Sequence, residues 1–301
     1  MPSKVHCKGI ILAGGHGTRL YPLTRFVNKH LLPIFDKPMI FYPLTTLMLA
    51  GIREILLVST PDSLPAFRRL LGSGADWGMR IEYAEQDQPR GLPEAFLLGE
   101  TFVADASVAL ILGDNFFFGH GLTEQLQRAA GQRAGASIFT YRVGDPARYG
   151  LLYRDASGKP IDIIEKPLLP KSNEAVTGLY VFHENVAGLV RTLEPSARGE
   201  LEIADVIRPF LKAGTLDVEE LGRGYAWFDA GTPRALQQAA SYVEIVQSRQ
   251  NMGIAYPEEV ALRMGFITPD DLGHQIAAMP KGDYRVYLEH ALRTFLAERP
   301  A

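Results

Sequence analysis

Cysteine is almost missing from this chain: Cys7 is the only one in 301 residues. An intrachain disulfide is therefore excluded, and a reducing compartment is the simpler setting. Excess positive charge is missing as well. The 31 Lys and Arg are outnumbered by 34 Asp and Glu, and no basic cluster of the kind that tracks a phosphodiester backbone occurs, which argues against a nucleic-acid partner. No apolar run is long enough to cross a bilayer, and Met1-Pro2-Ser3-Lys4-Val5-His6-Cys7-Lys8 lacks the apolar core of a secretory signal. These absences predict a soluble cytoplasmic protein with no membrane partner. Internal repeats, low-complexity segments and a Cys/His cluster suited to zinc are also lacking, and no Ser-His-Asp constellation can be argued.

The length suffices for one sizeable α/β domain or two smaller ones. Apolar runs of strand length recur at Lys8 to Ala13, Glu54 to Ser59, Ile81 to Ala84, Val108 to Leu112 and Ser137 to Tyr141. Helical stretches lie between them, such as Pro38 to Ala50, closed by Gly51, and Leu64 to Leu71, closed by Gly72. This β-α-β rhythm predicts a Rossmann-like α/β fold: a mostly parallel, twisted sheet with helices on both faces and ligands at the carboxyl ends of its strands. From about Gly150 the rhythm changes, with strand-like Ile161 to Ile164 and Thr177 to Phe182 set among loops rich in Pro, Lys and Asn. Beyond Asp229 the chain turns helical. Thr232-Pro233 suits an N-cap and first turn, followed by a stripe of Leu236, Ala239, Val243 and Val246, and Thr268-Pro269 and Asp283 open two more helices. Residues 1–231 are read as the α/β core and 232–301 as a helical appendage of the same domain.

The densest local signal is Gly9-Ile10-Ile11-Leu12-Ala13-Gly14-Gly15-His16-Gly17-Thr18-Arg19-Leu20. An apolar strand runs directly into a glycine-rich turn whose N–H groups can approach an anion, and Arg19 can hold a phosphate oxygen bidentately. Lys29 follows in Asn28-Lys29-His30-Leu31-Leu32-Pro33. Taken alone, this pattern also describes a strand–helix turn with two solvated cations. It is neither a P-loop, which needs Lys-Ser or Lys-Thr after its last glycine, nor a dinucleotide fingerprint, because Leu20 stands where the third glycine belongs.

The run G-G-x-G-T-R-L followed by a Lys before Leu-Pro resembles the signature of the sugar-1-phosphate nucleotidyltransferases, and the chain is most similar to their glucose-1-phosphate thymidylyltransferase branch. Further stretches carry the resemblance in order: Asp36-Lys37-Pro38-Met39-Ile40-Phe41-Tyr42-Pro43, Leu112-Gly113-Asp114-Asn115, Tyr149-Gly150, Glu165-Lys166-Pro167, Val176-Thr177-Gly178-Leu179-Tyr180, Pro195 to Ile203, and Trp227-Phe228-Asp229-Ala230-Gly231-Thr232. It extends from about Lys8 to the last helix.

The resemblance implies nucleotidyl transfer from dTTP to glucose 1-phosphate with Mg²⁺, giving dTDP-glucose and pyrophosphate. Such chemistry needs charge neutralisation and in-line positioning. Gly14, Gly15, Gly17, Thr18, Arg19, Lys29 and His30 would hold the nucleotide, with Arg19 and Lys29 on the triphosphate. Asp114 and Asp229 would be the metal ligands, which suits an ion that takes one or two carboxylates plus phosphates and water. Either Asp alone reads equally as a turn residue or cap. Lys166 would hold the phosphate of the sugar phosphate and Glu165 its hydroxyls, with Asn115, Gly150 and Val176 completing the sugar pocket. Without that context, Glu165-Lys166 reads as a surface ion pair. Arg19, Lys29, Lys166 and Asp114 are thus the catalytic candidates.

The base reader would be Gln86, five residues before Gly91, because an amide offers a donor and an acceptor side by side, matching the edge of thymine or uracil. Gln88 is a rival at a poorer spacing. One departure stands out: His30 occupies a position where the thymidylyltransferase branch usually carries Gln. An imidazole has fewer hydrogen-bonding sites and can be cationic, which leaves dTTP versus UTP open.

Alternatives are a UTP-preferring or other hexose-1-phosphate enzyme, a catalytically silent nucleotide-sugar-binding regulator, and a nicotinamide-dependent oxidoreductase. The missing third glycine argues against the last, and the presence of Arg19, Asp114, Lys166 and Asp229 argues against the silent regulator. The last helix carries Tyr284, Leu288, Ala291, Leu292 and Phe295 at helical spacing, an apolar face that packs on its own core or on another subunit. The resemblance implies a homotetramer inhibited by a dTDP-sugar such as dTDP-rhamnose at a second site. Pro257 to Arg263 resembles part of that site, with Arg263 as the phosphate contact and Tyr256 where Cys is more usual.

Overall fold

The computed structural model describes residues 6–15, 17–183 and 186–298. His16 of the glycine-rich run and residues 1–5 of the N-terminal reading lie outside them. The strands are β1 (Cys7–Leu12), β2 (Pro33–Ile34), β3 (Lys37–Pro38), β4 (Glu54–Ser59), β5 (Arg80–Glu85), β6 (Ser107–Leu112) and β7 (Asn115–Gly119). They continue with β8 (Ala136–Arg142), β9 (Gly150–Arg154), β10 (Pro160–Glu165), β11 (Glu174–Phe182), β12 (Leu216–Leu221) and β13 (Tyr225–Asp229).

The main sheet has the order β10-β9-β11-β6-β1-β4-β5, with β8 joined to β11 and β12 to β8. Pairing is parallel from β6 through β1 and β4 to β5, whereas β11 runs antiparallel to β6, β8 and β9. Alternation along each strand divides the core between the two faces. Ile11, Leu57 and Ile111 face one layer, with Leu44 and Leu47 of the helix Phe41–Leu49 and Phe67 of the helix Leu64–Leu71. Ile10, Leu56 and Leu110 face the other, against Phe96 of the helix Glu94–Leu98 and Val206, Ile207 and Phe210 of the helix Ile203–Ala213. Each such fully buried side chain contributes roughly 1.5–3 kcal/mol relative to exposure.

The C-terminal helices join the first of these layers: Ala261, Leu262, Leu272, Ile276 and Leu288 are buried in the same cluster as Leu47 and Trp77. In the last helix, Asp283–Ala297, Leu288 and Ala291 are buried, and Tyr284, Leu292 and Phe295 lie partly buried against that core. Its apolar stripe is thus covered by its own subunit. A third cluster seats Ala239 and Val243 of the helix Pro233–Gln250 on the β7–β13 ribbon through Phe116. The caps at Thr232 and Thr268 form as the sequence suggests: Thr232 accepts from the Ala235 N–H, and Thr268 forms a capping box with Asp271.

One expected boundary moves. The helix read from Pro38 begins at Phe41, because Lys37–Pro38 folds back on Pro33–Ile34 as a short antiparallel hairpin. No helix of the described residues is long and apolar enough to cross a membrane.

The chain order reverses beside β1, which has β4 on one side and β6 on the other. A crevice therefore opens at the carboxyl ends of β1 and β6, where open α/β sheets bind ligands. Gly14 and Gly15 follow β1, and Gly113 and Asp114 follow β6, with Leu12 in register with Leu112.

Candidate active site

A cavity of about 570 Å³ occupies this crevice. Leu12, Gly14, Gly15, Arg19, Lys29 and His30 line its first wall. Gly15 and Gly17 hold left-handed φ angles of 87° and 57°, which turn the chain out of β1 into the short 3₁₀ helix Thr18–Leu20. Gly17 and Thr18 are absent from the cavity wall. The Gly17 carbonyl accepts from Thr24 Oγ1 at 3.0 Å, so this end of the loop shapes the turn that presents Arg19.

Asn28 caps the 3₁₀ helix Lys29–Leu31 by accepting from the His30 N–H, while its own Nδ2 donates to the Ala13 carbonyl and Ser63. The amide orientation of Asn28 is thereby fixed with its oxygen toward His30 Nδ1, 2.7 Å away. An oxygen there requires Nδ1 to carry the proton. Burial, and then the neighbouring Lys29 charge, push the His30 imidazole down to about 3. His30 is therefore neutral near pH 7, and the cationic alternative allowed by the sequence is corrected: there is too little water around this ring to support a charge beside a lysine.

Lys29 Nζ donates to Asp114 Oδ2 at 2.5 Å, with both side chains largely buried. Burial alone would raise the Asp114 carboxyl, but the Lys29 ammonium carries it well below the usual carboxylate range. Asp229 comes to the same place because β13 pairs with β7 in a register that sets Asp229 opposite Asn115 and draws the Ala230 N–H onto the Asp114 carbonyl at 2.9 Å. Burial, and then the Asp114 charge, push the Asp229 carboxyl up. Gly231 measures the convergence: a Cβ there would lie 2.6 Å from Arg19 Nη2, 2.9 Å from Asp229 Oδ1 and 3.2 Å from Asp114 Oδ2. Two carboxylates and a guanidinium thus crowd one point at the head of the crevice.

The far wall comes from β9, β10 and β11. Glu165 lies opposite Gly150 in the β9–β10 register, and a Cβ on Gly150 would sit 2.8 Å from Glu165 Oε2, so the glycine admits the carboxylate. Lys166 takes a left-handed φ of 42°, a strained backbone for a residue with a side chain, and its Nζ lies 3.3 Å from Glu165 Oε1. Val176 lines the wall from β11. Asn115 is nearly saturated: its Oδ1 accepts from Gly178 N at 3.0 Å and Trp227 Nε1 at 2.7 Å, and its Nδ2 donates to Asp114.

Gln86 is buried at the end of β5 and lines the cavity, while Gln88 is exposed and does not. Gly91, with φ 108°, is pressed against other backbone: its Cβ would lie 2.2 Å from the Leu201 carbonyl oxygen. Its freedom thus lets the loop bridge to Leu201. Arg263 lies away from the cavity, in the helix Pro257–Arg263, with its guanidinium donating to Glu259 and Glu298.

The cavity also gathers residues to which sequence reading gave no role. Arg148 Nη2 lies 3.9 Å from Asp229 Oδ2, Arg198 Nη2 lies 3.9 Å from Glu165 Oε1, and Tyr149, Glu202 and Trp227 share the wall. Arg148 and Arg198 each sit within or beside a stretch that carries the resemblance, and an arginine next to such a motif is the signal that could have marked them.

The sequence model of the nucleotidyl transferase family matches residues 8–245. A glucose-1-phosphate thymidylyltransferase of Xanthomonas campestris pv. campestris is 52% identical over 294 residues, covering 98% of both chains. One of Mycobacterium tuberculosis is 50% identical over 281 residues, covering 93% of this chain and 97% of its own. A crystal structure from Bacillus anthracis, described as a candidate glucose-1-phosphate thymidylyltransferase in complex with a sucrose, superposes with a TM-score of 0.73 at 39% identity, covering 78% of this chain and 94% of that one. With its crevice residues drawn from both ends of the matched region, the chain belongs to the nucleotidyl transferase family.

Proposed function

We propose that this chain transfers the thymidylyl group of dTTP to glucose 1-phosphate, forming dTDP-glucose and pyrophosphate. The observation that carries the reading is the convergence of Arg19, Asp114 and Asp229 around Gly231, with Lys29 on one side and Lys166 and Arg198 across the cavity. A phosphate oxygen of the sugar phosphate attacks the α-phosphorus of dTTP, and the bond from that phosphorus to the bridging oxygen breaks, releasing pyrophosphate. Lys166 and Arg198 hold the attacking phosphate and screen its repulsion from the triphosphate, while Glu165 accepts from sugar hydroxyls. Arg19 stabilises the charge that grows on the leaving group.

The donor set at Asp114 and Asp229 fits a hard divalent cation: a buried carboxylate and a half-buried one, meeting where the substrates' phosphates would lie. Asp114 and Asp229 are the residues that would hold magnesium, which would supply neutralisation of phosphate charge there. Burial and then the Asp114 charge push Asp229 up, and such an ion would relieve the second of these. Lys29 draws off part of the Asp114 charge meanwhile.

Gln86 presents its amide to the base. Thymine and uracil share the edge it reads, so UTP is the second-best donor. We also propose a homotetramer in the cytoplasm, where its phosphorylated substrates are found, with a dTDP-sugar inhibitor at a second site near Arg263. The resemblance supports this, as do Ile245, Val286 and Leu296, apolar side chains that remain more than half exposed on the C-terminal helices.

The experiment is pyrophosphate release with one or both substrates. Release that requires dTTP and glucose 1-phosphate together supports transfer; release from dTTP alone means hydrolysis, and none means a silent binder.

A further inference from the structure

The amide of Gln86 is held from behind. Its Nε2 donates to Glu94 Oε2 at 2.8 Å, and both residues are more than nine-tenths buried. The other carboxylate oxygen, Oε1, accepts from Arg90 Nη1 at 3.0 Å. Both ends are anchored: the Gln86 N–H extends the β4–β5 ladder by donating to the Ser59 carbonyl at 2.8 Å, and Glu94 opens the helix Glu94–Leu98. The amide oxygen lies on the side of Gly14, where a Cβ would come within 2.6 Å of it. Glycine at position 14 leaves that acceptor uncovered on the cavity wall.

A primary amide has two orientations of nearly equal shape, and only its neighbours choose between them. In the observed one, N–H meets carboxylate. Turned over, the amide oxygen would face Glu94 Oε2 across the same short distance with no proton between them. A carboxylate paired with a guanidinium offers acceptors only, so that arrangement is refused. The consequence falls on the base. Thymine and uracil carry N3–H beside a carbonyl oxygen and match an amide that presents its oxygen together with its second N–H. Cytosine has a bare N3 beside an amino group and needs the amide turned over.

We infer that Glu94 is a specificity-positioning residue: it fixes the Gln86 amide in the orientation that accepts a pyrimidine with N3–H and rejects one without. Glu94 touches no substrate and acts through Gln86. The inference rests on the proposed reading of Gln86 as the base contact, and the test separates the two.

The dTTP:dCTP preference is measured as a ratio of kcat/KM and, independently, as a ratio of calorimetric affinities. Glu94→Gln keeps the shape but offers either a donor or an acceptor to the Gln86 amide; Glu94→Met offers neither and serves should the first variant not fold. Either variant should narrow the preference about tenfold or more, the scale of one hydrogen bond gained or lost, with the gain on the dCTP side. A merely structural role would weaken both nucleotides alike, and an unchanged ratio in the folded variants overturns the inference. Gln86→Ala is the control. If it leaves the ratio unchanged, the base-reading assignment fails and takes this inference with it; if it narrows the ratio while the Glu94 variants do not, only the role of Glu94 is lost.

Discussion

Lys29 and Asp114 stand 85 residues apart in the chain and meet at 2.5 Å. The pair sets the charge state of the crevice: the ammonium keeps the buried carboxyl ionised, and the carboxylate accounts for a lysine with little water around it. Removing one member of a buried pair typically costs about 3–5 kcal/mol, because the other charge is left uncompensated.

Lys29→Met should therefore lower the thermal stability of the protein in chelator at neutral pH. The sign of the pH dependence follows from the lowered Asp114 carboxyl. Its contribution is present above the unfolded value of about 3.9 and is lost as pH falls toward the folded value. In the variant burial raises the Asp114 carboxyl instead, so its stability deficit against the native chain should be largest near pH 7 and shrink as pH falls. Melting curves from pH 3 to pH 7 check this; parallel curves for the two proteins would mean the pair is not coupled.

Asp229 behaves in the opposite way. Its folded carboxyl is pushed up by burial and by Asp114, so above that raised value the charged form opposes folding. Asp229→Asn should raise the melting temperature in chelator at pH 7 and abolish most of the gain that magnesium gives the native chain. Asp114→Asn should also weaken the magnesium response, but without the stabilisation. A magnesium titration followed by melting temperature separates the cases.

Arg19→Ala and Lys166→Ala should each lower turnover by about 10²- to 10³-fold, the usual cost of removing one preorganised electrostatic group. The KM effects should divide between the two walls, dTTP for Arg19 and glucose 1-phosphate for Lys166. Folding should survive, since both side chains reach solvent. Steady-state kinetics with each substrate varied in turn checks the division.

The site's local parts were legible and its long-range parts were not. Gly14, Gly15 and Arg19 follow an apolar strand, so the turn and its anion-facing character can be read within twelve residues. That Asp229 faces Asp114 depends on the β7–β13 register, and no spacing in the chain announces it; resemblance alone paired them. The β7 run Asn115–Gly119 is masked in the sequence by the Gly113-Asp114 turn that immediately precedes it. The apolar run Met39 to Pro43 extends the expected helix back to Pro38, whereas pairing with Pro33 decides its conformation. Glu94 was invisible for a different reason: an acid in the first turn of a helix is ordinary, and only the 2.8 Å contact with Gln86 gives it meaning.

Arg263 already has two carboxylate partners, Glu259 and Glu298. A phosphate at the proposed second site must compete with them. Arg263→Ala should therefore lose inhibition by dTDP-rhamnose while keeping most turnover, and light scattering should give a tetramer. A monomer at assay concentrations, or competitive inhibition unchanged by the variant, would contradict this part of the account.

The most direct measurement sets each NTP and dNTP against a panel of sugar 1-phosphates with Mg²⁺ and follows pyrophosphate release. dTTP with glucose 1-phosphate should be the best pair, with UTP weaker because the ribose 2′ position separates it from dTTP, and purine triphosphates poor. A clear preference for ATP or GTP would contradict this.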